Sequence, residues 1–147
     1  MSIDLCLVVP PFAQVETPTL GVAILAAACR ARGMTVAVLH ANLMLAARTG
    51  YPAYRDVANS NTASLVGERL FLPHAYGPGS SREFDPLAPL SAPLQTQHDA
   101  VAPAVAPLLD AVCAQILAFR PLLLGISSSY QQTLAGSAIA YRIKAAS

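Results

Sequence analysis

The first forty residues constrain the fold more than any other part of the chain. Ile3-Asp4-Leu5-Cys6-Leu7-Val8-Val9 is a nearly continuous apolar run stopped by Pro10-Pro11, the pattern of a parallel strand covered on both faces. After the loop from Pro10 to Glu16, Thr17 is placed to cap a helix with Pro18 at its first position. Leu20, Ile24, Ala27 and Ala28 then share one face, and Gly33 closes the helix. Thr35 to Leu39 is short and β-branched, so strand, helix and strand make one βαβ unit. A second unit is expected near the other end. There the apolar-periodic segment from Val105 to Phe119 leads through Arg120-Pro121 into the strand-like run Leu122 to Ile126, and Gln131 to Lys144 reads as a further helix. The expected class is α/β: one Rossmann-like domain over residues 1–147, a parallel sheet of flavodoxin-like order with flanking helices.

Residues 43–103 stand between the units as an insertion, too long for an ordinary connection. Seven prolines (Pro73, Pro78, Pro86, Pro89, Pro93, Pro103 and Pro107) crowd its later part and its exit, which predicts extended and turn structure from Pro73 to Pro103. Elsewhere the chain should collapse, because 54% of its residues are hydrophobic and only 12% charged. A net charge of +1 without a basic block argues against nucleic acid as a partner. Apolar runs such as Leu20 to Cys29 reach about ten residues, against the ~20 needed to cross a bilayer, so no membrane partner is expected. The N-terminus lacks a basic region ahead of its apolar run, which points to a cytoplasmic protein. Cys6, Cys29 and Cys113, odd in number and widely spaced in apolar stretches, read as buried free thiols.

In a sheet of this order the first and third strands are neighbours, and ligands sit at their carboxyl ends. Here those ends are Pro10-Pro11 and Ser127. The diproline corner offers fixed backbone, and the helix beyond it turns unpaired N–H groups toward the same crevice. Opposite lies Ser127-Ser128-Ser129-Tyr130-Gln131-Gln132. Ser129 and Gln132 have capping-box spacing, which accounts for two of these residues. The remaining hydroxyls and amides suit a large, polar, weakly charged ligand.

Several chemistries lose support. Neither G-x-G-x-x-G nor G-x-x-x-x-G-K-[ST] is present. Gly125-Ile126-Ser127-Ser128-Ser129 lacks the closing glycine of a hydrolase elbow, and no acid or histidine follows it, so no catalytic residue is assigned. His40, His74 and His98 are far apart and assign no metal site. His74, within Leu72-Pro73-His74-Ala75-Tyr76-Gly77, is read as a solvated side chain.

The ordered set Val9-Pro10-Pro11-Phe12-Ala13, Pro18-Thr19-Leu20-Gly21, Ala41-Asn42-Leu43, Gly50-Tyr51, Gly67-Glu68-Arg69-Leu70-Phe71 and Gly125-Ile126-Ser127 through Lys144 resembles the radical SAM C-methyltransferases of ribosomal peptide maturation, across about Leu5 to Lys144. The resemblance implies an N-terminal cobalamin-binding domain. S-adenosylmethionine and an iron-sulfur cluster would belong to a radical SAM domain beyond this chain, and a peptide would be the substrate. The three cysteines lack the spacing a cluster needs, so the chain alone is not expected to catalyse methyl transfer. The implied cofactor-binding residues are Pro10, Pro11, Thr19, Leu20, Gly21, Asn42, Ser127, Ser128, Ser129, Tyr130, Gln131 and Gln132. The D-x-H-x-x-G pattern of other cobalamin domains is absent, His74 and Gly77 matching half of it, so binding without a histidine ligand is implied. Relatives continue through further strands. On that pattern the domain is truncated at Ser147 or completed by a partner, the third strand is an edge, and Ala135, Ile139, Ala140 and Ile143 of the last helix await another strand. Two alternatives stay open: a peptide-recognition or interaction module of the same enzyme without bound cobalamin, using the insertion around Gly67 to Phe71 and its Pro-rich neighbour, and a small flavin- or nucleotide-binding Rossmann-like protein.

Overall fold

The computed structural model describes residues 2–61, 63–76 and 89–146. Its elements are β1 (Leu5–Val9), α1 (Leu20–Arg30), β2 (Val36–His40), α2 (Ala41–Thr49), α3 (Tyr51–Ala58), α4 (Val66–Ala75), α5 (Ala92–Phe119), β3 (Leu123–Ile126) and α6 (Thr133–Ala146). The strands form one parallel sheet in the order β2-β1-β3, with Leu5 level with both Val36 and Leu123. This is an open α/β sheet flanked by helices, and β1 and β3 are neighbours as the sequence predicts. Its lower end is fastened by Asp4, which accepts from the backbone N–H and the hydroxyl of Thr35, both at 2.7 Å.

Alternation along β1 sends Cys6 and Val8 to one face and Leu5, Leu7 and Val9 to the other. The first face carries the larger core, to which α2 through α6 all contribute. The second is covered by α1, through Val22 and Ala26. Burying a valine is worth about 2 kcal/mol, and α5 alone buries six residues, from Val101 to Ile116, on the first face. Most of the apolar stabilisation therefore lies on the α5 side.

The helix after β1 starts at Leu20, not Pro18, and Thr17 instead donates its hydroxyl to Gln14 Oε1. Its inward residues are Val22 and Ala26, while Leu20 and Ile24 are 67% and 59% exposed. From Leu20 to Cys29 the helix is apolar on every side, so periodicity cannot choose a face, and the sheet takes the side with the smaller residues.

Where the proline-rich segment is described, at residues 73–76 and 89–103, it is largely helical. Pro73 lies inside α4, Pro93 in the first turn of α5, and Pro103 and Pro107 in its interior. All three interior prolines are exposed, so the carbonyls they leave unbonded can face water. Val101, Val105, Leu108, Val112 and Ile116 hold the opposite side of α5 in the core. Gly77, Pro78 and Pro86 lie outside the described residues. By length and composition α5 could cross a membrane, which a search for unbroken apolar runs overlooks; in this fold its stripe packs among α2, α3, α4 and α6.

The last helix does not wait for a strand. Ala135, Ala138 and Ile139 are buried against α4 and α5, Ile143 is partly covered by the same core, and Ala140 faces outward. Gly136 permits this approach, since a Cβ there would lie 3.1 Å from Ile126 Cγ2. At the sheet margin β3 is an edge, with Leu122 and Leu123 75% and 61% exposed. The thiols of Cys6, Cys29 and Cys113 are free; Cys6 and Cys113 are buried, and burial pushes both pKa values up.

Candidate functional site

The three strands end at one rim, and each corner is built differently. After β1, Pro10 and Pro11 are buried and Phe12 takes a left-handed φ of 69°. That turn drives the Phe12 ring inward, stacked on Tyr54 with centroids 5.5 Å apart and edge-on to Phe71 at 6.2 Å. The Tyr54 hydroxyl donates to Ala13 O at 2.6 Å, and burial raises its pKa. With its base fixed, the loop from Gln14 to Thr19 stands up from the sheet. Glu16 accepts from the Tyr51 hydroxyl, which holds its carboxyl below the ordinary range, and Arg55 lies over the Tyr51 ring at 5.7 Å.

The corner after β3 is tied down just as firmly. Ser127 N donates to Val8 O at 3.0 Å, continuing the ladder. Ser128 shares a hydrogen bond with the Thr133 hydroxyl, and the Tyr130 hydroxyl donates to Asn61 O at 3.0 Å. Gln131 is 1% exposed with φ 63°. Its Oε1 accepts from Gly67 N at 2.5 Å, and its Nε2 donates to Val57 O at 2.9 Å. Gly67 has to be glycine for this: a Cβ there would lie 2.7 Å from Gln131 Oε1 and 2.8 Å from the Phe12 ring. The expected capping box is not formed. Glu68, reaching from α4, caps α6 by accepting from Thr133 N at 3.1 Å and Leu134 N at 2.7 Å. A carboxylate satisfies more of a helix start than a serine can, and no local spacing reveals it.

Two recesses open on either side of the β1–α1 loop. One, of about 350 Å³, runs between the β1 and β3 corners and is lined by Phe12, Gln14, Thr19, Ser129, Tyr130 and Gln132 among others. The second, of about 270 Å³, lies between the β1 and β2 corners, where Thr17 and Thr19 face His40 and Asn42. A third pocket, about 140 Å³, holds Glu16, Tyr51 and Arg55. An apolar groove of about 280 Å³ separates α1 from β3 beneath Thr19, Gly21 and Ser127.

Of the residues singled out in the sequence, Thr19, Ser129, Tyr130 and Gln132 meet in the first recess and Asn42 joins Thr19 in the second. Gly21 and Ser127 line the apolar groove. Pro10 and Pro11 are buried beneath the rim, Leu20 points outward, and Ser128 is exposed at the start of α6. Gln131, its amide fully occupied inside the protein, is a structural tie. Gln14, Thr17, His40 and Asn59 are rim residues the sequence does not mark.

His74 sits on α4, half-buried, with its pKa lowered by desolvation and by Arg142. It is neither loop-borne nor at the rim. Gly67, Leu70 and Phe71 are core residues, and Glu68 and Arg69 between them are half-buried. Among the described residues no group of three or more His, Cys, Asp or Glu side chains could hold a metal ion. Comparison with protein-family models, with curated proteins and with solved structures gives no match.

Proposed function

We propose that this domain is the cobalamin-binding module of a radical SAM methyltransferase acting on a ribosomally made peptide. The observation that carries the reading is the meeting of the β1 and β3 corners on one rim, within a recess walled by amides and hydroxyls. The donor set fits a broad, uncharged, amide-bearing ring. Gln14, Thr19, Ser129, Tyr130 and Gln132 would face it on one side of the loop and Asn42 on the other. When bound, the corrin supplies a transferable methyl group. The residues of this chain would bind and orient it, and with the D-x-H-x-x-G pattern absent from the sequence, they would do so without the histidine ligand that this pattern supplies.

The finer architecture belongs to the same proposal: a flavodoxin-like core in which residues 43–103 are an insertion, and a sheet continued beyond β3 by residues outside this chain. The exposed edge at Leu122 and Leu123 supports that continuation, and the radical SAM domain with its iron-sulfur cluster and S-adenosylmethionine would lie in the same enzyme. The test is to mix the folded protein with hydroxocobalamin, gel filter it, and follow corrin absorbance. Co-elution is expected, and a colourless protein peak refutes the reading. A flavin spectrum in the purified protein would favour the nucleotide-type alternative instead.

A further inference from the structure

Four residues of the β1–α1 loop, Gln14, Thr17, Pro18 and Thr19, line both the 350 Å³ recess and the 270 Å³ recess. The loop is therefore the wall between them. Across the first recess stand Ser129, Tyr130 and Gln132 of the β3 corner, and across the second His40 and Asn42 of the β2 corner. Ligand pockets run from about 300 to 1,000 Å³, so each recess alone lies near the small end. With the wall displaced, the ends of all three strands would border one cleft.

Both ends of this wall are fixed and its crest is not. At the foot, buried Ala13 accepts through its carbonyl from the Tyr54 hydroxyl. At the other end Thr19 O accepts from Ala23 N and starts α1. Between them, residues 14–18 make no backbone–backbone hydrogen bond among the described residues, and Gln14, Glu16, Thr17 and Pro18 are exposed. The bonds from the Thr17 hydroxyl to Gln14 Oε1 and from Val15 N to Glu16 Oε2 are internal to the loop and tie it to nothing else. Asn42 Nδ2 reaches Gln14 O only at 3.4 Å, beyond the usual range, and Val15 is partly covered by the core. Both act close to the foot. The crest is held at one point, where Glu16 accepts from the Tyr51 hydroxyl of α3. Each partner shifts the other: the Glu16 carboxyl is held below its ordinary pKa and the Tyr51 phenol above its own, chiefly by this bond. At neutral pH an ionised acceptor thus meets a protonated donor, the stronger kind of hydrogen bond.

We infer that residues 14–18 form a movable partition and that the Tyr51–Glu16 hydrogen bond is its latch. With the latch made, the site is two recesses. With it released, the site is one cleft along three strand ends, open to a ligand too broad for either recess. Tyr51 is a positioning residue in this scheme, acting on the ligand only through the loop. The identity of the broad ligand rests on the corrin reading, whereas the latch does not.

The test measures backbone order parameters at Val15, Glu16 and Thr17 in the ¹⁵N-labelled full chain, with α3 as reference. In the wild type these should match α3 at about 0.85, and in Tyr51→Phe and Glu16→Ala they should fall below about 0.6. Tyr51→Phe keeps the ring that lies under Arg55 and removes the hydroxyl alone. The double variant should be no more mobile than either single one, because both remove the same contact. Unchanged order in Tyr51→Phe, effects that add in the double variant, or an equal loss of order within α3 overturn the latch. Gel filtration and stopped-flow mixing with hydroxocobalamin separate this from the corrin reading. Association about tenfold faster in the variants, the equivalent of roughly one hydrogen bond, is the expected result. Retention at an unchanged rate in variants with a released loop overturns the partition and leaves the corrin reading in place. A colourless protein peak from the wild type and from variants with a released loop refutes the corrin reading and upholds the latch.

Discussion

Replacing Gln131 by Ala removes the one side chain that binds the β3 corner to both α3 and α4. The substitution leaves Gly67 N–H and Val57 C=O inside the protein without the partners they now have at 2.5 and 2.9 Å. Each stranded group costs about 1–3 kcal/mol, and the void left under Phe12 and Gly67 adds to this. A total of about 3–5 kcal/mol follows, a large share of the ~5–15 kcal/mol that stabilises a domain of this kind. At about 2–4 °C per kcal/mol, the midpoint should fall by roughly 6–20 °C. Gln131→Gly provides an internal control. It loses the same hydrogen bonds but relieves the left-handed φ of 63°, which costs an L-residue about 1 kcal/mol, so it should be milder than Ala by about that amount. Urea unfolding followed by circular dichroism measures both. The account is refuted if Gln131→Ala loses less than about 1 kcal/mol, or if Gly is no milder than Ala.

Glu68→Ala should destabilise the protein by about 1 kcal/mol, as for loss of a helix cap, with faster amide exchange concentrated at Thr133 and Leu134; uniform exchange along α6 would argue against the cap. Asp4 is held below its ordinary pKa by the backbone N–H of Thr35 and then by its hydroxyl. Its stabilising contribution is therefore complete above the ordinary value and lost as pH falls through the lower folded-state value. Thermal midpoints of the wild type and Asp4→Asn, compared between about pH 6 and pH 2, should differ at the upper end and converge in acid; a constant difference contradicts the assignment.

The strands were legible because each is a short, mostly apolar run, and the pairing of β1 with β3 follows from parallel connections over a sheet. The inward side of α1 was not, because a helix with Leu20, Ile24 and Leu25 on one side and Val22 and Ala26 on another has two apolar faces. Proline was the other source of error. Pro52 and Pro93 fall in the first turns of α3 and α5, where the missing N–H costs nothing, and Pro73, Pro103 and Pro107 sit on exposed sides of helices held by their buried faces. At the rim, residue chemistry was readable but direction was not. Ser129, Tyr130 and Gln132 face the recess as their polarity suggests, whereas Gln131, between them, is turned inward by a left-handed φ that nothing in Tyr130-Gln131-Gln132 announces.

That inward turn changes what the helices between β2 and α5 are for. Tyr54 holds Ala13 O, Val57 and Gly67 hold Gln131, Asn61 O holds Tyr130, and Glu68 holds the start of α6. Every one of these contacts joins α3, α4 or their connection to the β1 corner, the β3 corner or the start of α6. A sheet of three strands has few means of fixing loops that leave its edge, and loops ordered only by a ligand would spend binding free energy on their own ordering. Here α3 and α4 order them beforehand. The segment that looks least like part of a Rossmann-like core is thus the frame on which its candidate site is mounted, and substitutions at Tyr54, Gly67 or Gln131 act on the recess without touching what it holds.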